Sequence, residues 1–172
     1  MKKNLPILLL VLGFVLILGA GLFAWYGSVQ QAVVPVAIGA DVPQTLAGLA
    51  LSTTQSGAAA IANIKQLHGA DVPLVGGIVA MYGDTSATLW VAEAGSEADA
   101  LQLVQSMDAS INKGGSPFTS KGVFQFRNRD VYMLEGAGTS EFFMQSGKKV
   151  LWVSTAPEQS EQAMKEMLDF YP

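Results

Sequence analysis

Cysteine is absent from this 172-residue chain. That excludes disulfides, thiolate metal sites, thiol nucleophiles and the acylated cysteine of a bacterial lipoprotein. Histidine occurs once, as His68 in "KQLHGADVP". One imidazole with no thiolate cannot close a tetrahedral metal site, even with Asp71 nearby. Beside Gly69 it reads instead as a helix-end residue, where partial positive charge suits the dipole. Charged residues make up only 14% of the chain, against roughly 25% in an average soluble domain. No G-x-S-x-G elbow occurs, and "GGSPF" and "GAGTSEF" both miss it. "EGAGTSE" lacks the third glycine of a dinucleotide loop and joins two predicted strands. The sequence therefore predicts no metal, no cofactor and no catalytic constellation.

What the chain does have is grease in one block. "LPILLLVLGFVLILGAGLFAWY" runs from Leu5 to Tyr26 without a charge, behind Lys2 and Lys3. As a helix it is roughly 33 Å long, enough for a hydrocarbon core of about 30 Å. Trp25 and Tyr26 fall where an interfacial aromatic belt lies, and the two lysines place the N-terminus on the cytoplasmic side. The run exceeds the apolar core of a cleaved signal peptide and ends in aromatics instead of an A-x-A exit, so it predicts a retained signal-anchor. Ala20 and Ala24, with Gly13, Gly19 and Gly21 nearby, form a small-residue face, but glycine is common in plain anchors.

Three regions follow: a transmembrane anchor (1–26), a Gly-, Pro- and Gln-punctuated linker (27–43), and an extracytoplasmic α+β domain (44–172). The expected location is the cell membrane, single-pass. Residues 27–172 carry eight basic and fourteen acidic side chains, a formal −6. That balance suits neither nucleic acid nor an anionic surface on which the domain would lie flat.

Within the domain, "LAGLALSTTQ" (46–55) reads as a strand and "SGAAAIANIKQLHG" (56–69) as a helix with Ser56 as N-cap and Gly69 as stop. Residues 76–94 form a hairpin through Gly83-Asp84. Ser96 caps a helix over 96–114 with the stripe Ala100, Leu101, Val104, Met107 and Ile111. "FTSKGVFQF", "DVYMLEG", "SEFFMQS" and "KKVLWVS" are four strands with turn residues between them. A last helix starts near Glu158 behind Pro157, with Ala163, Met164, Met167, Leu168 and Phe170 inward. The fold class is an antiparallel sheet with helices packed on it. In element order alone, 46–127 resembles most of a ferredoxin-like βαββαβ path.

A second organisation competes with that path. "SATLWVAEAGSEADAL" (86–101) is echoed by "KKVLWVSTAPEQSEQAM" (148–164). Each copy ends a hairpin with Leu-Trp-Val and then starts a helix, so a β-β-α order occurs twice. "GADVP" also recurs, at 39–43 and 69–73, but nothing after it matches, and Asp-x-Pro is ordinary turn punctuation.

Glu135 and Glu141 flank the Gly-rich turn and would face each other across a paired ladder, the arrangement of acid–base carboxylates. Two acids at a hairpin end more simply keep an edge soluble, as do Lys121, Arg127, Arg129, Lys148 and Lys149 at strand ends. The aromatics say more. Trp90 and Trp152 point opposite to their Leu and Val neighbours, so these strands are apolar on both faces. Either helices cover both sides or one side meets a partner. Trp90, Trp152, Phe124 and Tyr132 form the candidate contact face. The expected function is a non-catalytic, membrane-anchored domain acting through protein contacts, as an accessory or assembly subunit or a homo-oligomer. The alternative is a tethered small-ligand-binding or sensing domain with an aromatic cavity. A hydrolase using Glu135/Glu141, or a serine with His68, ranks third.

Overall fold

Two-residue turns set the sheet. Ala47-Gly48, Arg127-Asn128 and Ala137-Gly138 have positive φ at both positions, and Gly147 has it at the first position of Gly147-Lys148. Such turns match the right-handed twist of the strands they join. The computed structural model describes residues 41–68, 72–114 and 116–172. Leu5–Tyr26 and most of the linker lie outside these. Among the described residues no helix is long and apolar enough to cross a membrane.

The elements are β1 (Thr45–Leu46), β2 (Leu49–Ser56), α1 (Ala58–His68), β3 (Leu74–Tyr82), β4 (Ala87–Ala94), α2 (Glu97–Asn112), β5 (Thr119–Phe126), β6 (Arg129–Gly136), β7 (Thr139–Ser146), β8 (Lys149–Thr155), a 3₁₀ turn (Pro157–Gln159) and α3 (Ser160–Phe170). They form one eight-stranded sheet of order β1-β2-β3-β4-β8-β7-β6-β5, antiparallel throughout. The protein is thus α+β, as expected, but the ferredoxin-like path is overturned. A split βαβ path needs the helix-linked strands to be parallel, whereas β2 and β3 are antiparallel neighbours, with Ser56 opposite Ile78. The cause is local. Gly57, at φ +68, turns the chain out of β2 at once and donates its N–H to Gly77 O at 3.1 Å. The helix folds back over the pair instead of crossing to a distant strand. Gly77 permits this: a Cβ there would lie 3.1 Å from Ile64 and 3.3 Å from the Ile61 backbone nitrogen.

Helices cover both faces. Ala60 and Ile64 of α1 and Ala100, Leu103, Val104, Met107 and Ile111 of α2 pack on Val79, Ala92, Phe143 and Val150. On the other side Ala163, Met164, Met167 and Leu168 of α3, with Val42 and Leu46, pack on Leu89, Val91, Phe142, Met144, Leu151 and Val153. Ser96 caps α2 by accepting from Asp99 N at 3.1 Å. Two stripe assignments shift by a residue or two. Leu103 is buried where Leu101 was expected, and Tyr171 is buried in place of Phe170. Leu101 and Phe170 instead border the clefts beside the 147–148 turn.

The echoed triplets turn out to be each other's partners: Leu89 pairs with Val153, Trp90 with Trp152 and Val91 with Leu151. The strands are therefore related by a local two-fold through the tryptophan pair. The helices that follow break it, α2 covering the tryptophan face and α3 the opposite one.

Two buried tyrosines fasten the first described residues. Tyr82 donates to Pro43 O at 3.0 Å and Tyr171 to Asp41 O at 2.6 Å. Burial pushes both phenols well above the usual tyrosine range; Tyr171 is raised further by Tyr82 and Asp41. The native state then keeps protons that an unfolded tyrosine loses near pH 10. Stability is complete below that pH and falls as pH rises towards the folded values, by up to about 1.4 kcal/mol per pH unit for each tyrosine. Urea midpoints measured from about pH 9 to 11 should drop steeply for the native chain and less steeply for Tyr82→Phe/Tyr171→Phe. Parallel declines would contradict this.

Candidate functional site

Strand alternation and register place Tyr132, Phe143, Trp152 and Trp90 directly opposite one another on β6, β7, β8 and β4. They form an aromatic row across the sheet. Tyr132 stacks on Phe143 (4.6 Å between centroids, 9° between planes), Phe143 on Trp152 (5.3 Å, 8°), and Phe118 tilts against Trp152 at 5.4 Å. Phe143 is fully enclosed, while Trp90, Trp152 and Tyr132 keep part of their surface open. The indole N–H groups are taken by the chain itself. Trp90 Nε1 donates to Asn63 Oδ1 at 3.1 Å, and Trp152 Nε1 to Glu141 Oε2 at 2.6 Å.

Glu141 is only 3% exposed. Besides the indole it accepts from Ser154 Oγ at 2.6 Å and Thr139 Oγ1 at 2.8 Å. This overturns the facing-carboxylate expectation. In the β6–β7 register Glu141 is opposite Leu134, and Glu135 is opposite Ser140, so the two acids point to different faces. Glu135 is ion-paired with Lys121 at the surface. His68 is the last residue of α1. Among the described residues no group of three or more His, Asp or Glu is placed to hold a metal ion.

The four residues named from sequence do not share one surface. Phe124 pairs with Val131, a core residue of the α3 face, whereas its neighbour Val123 pairs with Tyr132. Phe124 therefore projects from the opposite face, on β5, which is the last strand of the sheet. Val123 and Phe124 are each 47% exposed, one on either side of an edge that pairs with no further strand among the described residues. A bulge between Ser120 and Gly122 interrupts the start of that strand. Phe143 and Asn63 went unnoticed in the sequence. The doublet Phe142-Phe143 signalled a strand apolar on both faces, but nothing marked Asn63.

At the end of the sheet holding the turns 127–128 and 147–148 lie two shallow clefts of about 300 and 320 Å3. The first is bordered by Leu101, Val104, Arg129, Tyr132, Gln145 and Ser146. The second is bordered by Asp41, Glu93, Lys148, Lys149, Phe170 and Tyr171. Much of the polar lining is already engaged. Gln145 donates to Glu97 O and Gly147 O, and Ser146 to Pro172 O. Arg129 donates to Leu168 O at 2.8 Å and to Tyr171 O. Arg127 is ion-paired with Asp169. α3 has no basic residue in its last turn, and these two arginines supply the missing cationic cap. Burial, then Asp130 and Asp108, raises the Tyr132 phenol.

No family model, curated protein or solved structure matches this chain.

Proposed function

We propose that the protein is a membrane-anchored extracytoplasmic domain with no catalytic role that works through protein contacts, and that the contact runs along the β5 edge. One observation carries this: Val123 and Phe124 stand half-exposed on the two faces of an outer strand. Outer strands are ordinarily guarded by charge. Here the single charged side chain of 119–126 is Lys121, and Glu135 engages it. An outer edge that pairs with no further strand among the described residues, with apolar anchors on both sides, suits strand addition, in which main-chain bonds give affinity and the side chains give selectivity. The bulge confines the pairing to the half of β5 that holds Val123 and Phe124.

A photo-crosslinking residue at position 124 of the full chain, irradiated in its native membrane, should give one or a few adducts of defined mass. The same probe at Asp84, in the β3–β4 turn, should give none. Absence of any adduct at 124 would sink the proposal. The small-ligand reading draws on the cleft beside Tyr132. It is disfavoured because most polar groups there already bond to the chain.

A further inference from the structure

We infer that the strand added at the β5 edge is β5 of a second copy of this chain, paired antiparallel about a two-fold axis at Phe124. The inference rests on the edge reading above and names the partner.

The outward backbone groups set the register. Arg127-Asn128 is a two-residue turn with positive φ at both positions, and Phe126 and Arg129 flank it as a pair. In such a hairpin the flanking pair exchanges both backbone bonds, and bonded and non-bonded pairs then alternate along the ladder. Phe124 and Val131 form the next bonded pair, so Val123 and Gln125 aim their N–H and C=O groups away from β6. On one side of this stretch the bulge between Ser120 and Gly122 breaks the alternation, and on the other the turn begins. β5 therefore offers a partner one bonding residue on either side of Phe124.

An identical strand answers that pattern. With Phe124 opposite Phe124 of the second copy, Val123 faces its Gln125 and Gln125 faces its Val123. Both of these are bonded pairs, and the phenylalanines meet in the non-bonded pair between them, where side chains stand closest. Phe126 falls opposite Gly122, which has no side chain to obstruct it. Centring the axis on Val123 or on Gln125 would set an outward residue against the bulge or the turn instead. A slip of one residue would oppose Val123 to Phe124, which lie on different faces, and a two-fold pairing forbids that.

Charge fits the same register. Lys121 is ion-paired with Glu135, and Arg127 with Asp169 of α3. Glu135 is two residues from Met133, which packs on the α3 side, so both ion pairs lie on that side of the sheet. In the two-fold register Lys121 of one copy falls beside Arg127 of the other. Each end of the joint thus gathers two cations and two carboxylates, with Lys121 placed to reach Asp169 across the joint and Arg127 to reach Glu135. All four side chains are more than half exposed, so they can exchange partners without desolvation. The contact is isologous, the same patch on both copies, and closes as a pair. Residues 122–126 make a short ladder, so the joint is reversible and is best read by trapping it.

Because the native chain has no cysteine, an introduced thiol reports a single contact. The full chain carrying Phe124→Cys, mildly oxidised in its native membrane, should give a disulfide-linked dimer. The non-bonded pair holds Cα atoms about 4.5 Å apart, within disulfide reach. Val123→Cys and Gln125→Cys, each alone, should give at least about fivefold less dimer, because neither residue faces itself. Two differently tagged chains, one with Val123→Cys and one with Gln125→Cys, should restore it as a mixed-tag species. Lys121→Glu added to Phe124→Cys should lower the yield, since it leaves three carboxylates around one arginine at each end. No excess at position 124, or equal linking at 123, 124 and 125, overturns the inference. Photo-adducts at 124 whose mass is other than twice the chain also overturn it, but leave the edge reading standing. Absence of any adduct removes both.

Discussion

Replacing Phe143 by alanine is expected to lower the unfolding free energy by about 3–5 kcal/mol, a large share of the 5–15 kcal/mol that holds a typical domain together. The ring has no exposed surface. It is sandwiched between Tyr132 and Trp152 in two near-parallel stacks, each adding about 0.5–1.5 kcal/mol beyond simple burial. Relaxation into the void is limited. On one side lies the sheet backbone, and on the other the α2 face built by Leu103, Val104 and Met107. Urea unfolding followed by tryptophan emission would report the loss, with Trp152 as a built-in probe. Phe124→Ala on the open edge is the control and should cost well under half as much, since its ring starts 47% exposed. A smaller loss at 143 than at 124 would mean that the aromatic row is not part of the core.

The second large effect concerns Glu141. Glu141→Ala removes one carboxylate and leaves three donors facing the space: the Trp152 indole N–H and the hydroxyls of Ser154 and Thr139. Hydrogen bonds to a charged group contribute about 1.5–3 kcal/mol each, and a buried donor left without a partner costs about 1–3 kcal/mol. The hydroxyls can rotate towards other acceptors, but the indole N–H is fixed by the ring. The expected loss is about 3–5 kcal/mol for Glu141→Ala. Glu141→Gln should fall between alanine and wild type at about 1–3 kcal/mol, because one of its two terminal atoms becomes a donor where only donors are waiting. Equal, small losses for both variants would show that water replaces the carboxylate. A charge in this position then would have no structural work, and its retention would need a different explanation.

Much of the architecture is legible in the sequence. The four C-terminal strands, both amphipathic helices and the Ser96 cap follow from alternation, 3.6-residue spacing and turn chemistry, all of which act over a few residues. The opposition of Trp90 to Leu89 and Val91 is likewise a parity argument; it leaves helices on both faces or a partner on one as alternatives, and the chain's own helices lie on both faces. What failed was long-range. Nothing in "STTQSGAAAI" says whether the helix after β2 crosses to a parallel strand or doubles back, since that choice turns on the close approach that Gly77 allows from twenty residues away. The Glu135–Glu141 pairing was missed by one residue of register, and a shift of one exchanges faces. For the contact surface, the sequence showed which side chains are apolar. Which of them α1 and α2 cover is decided by tertiary packing, so Phe124 and Val123 could not be separated from Trp90 and Trp152 in advance.

The join between β4 and β8 has a consequence for how the molecule comes together. Every other strand pair links neighbours along the chain, so the hairpins on either side can form early, with β2 and β3 closing around α1. Among the strand pairs, the β4–β8 ladder alone must gather more than fifty intervening residues, and the entropy of that closure is most readily met when both flanks are already shaped. Two locally organised halves meeting edge to edge along the β4–β8 ladder, with the tryptophan pair at its centre, make that ladder the natural last step of assembly.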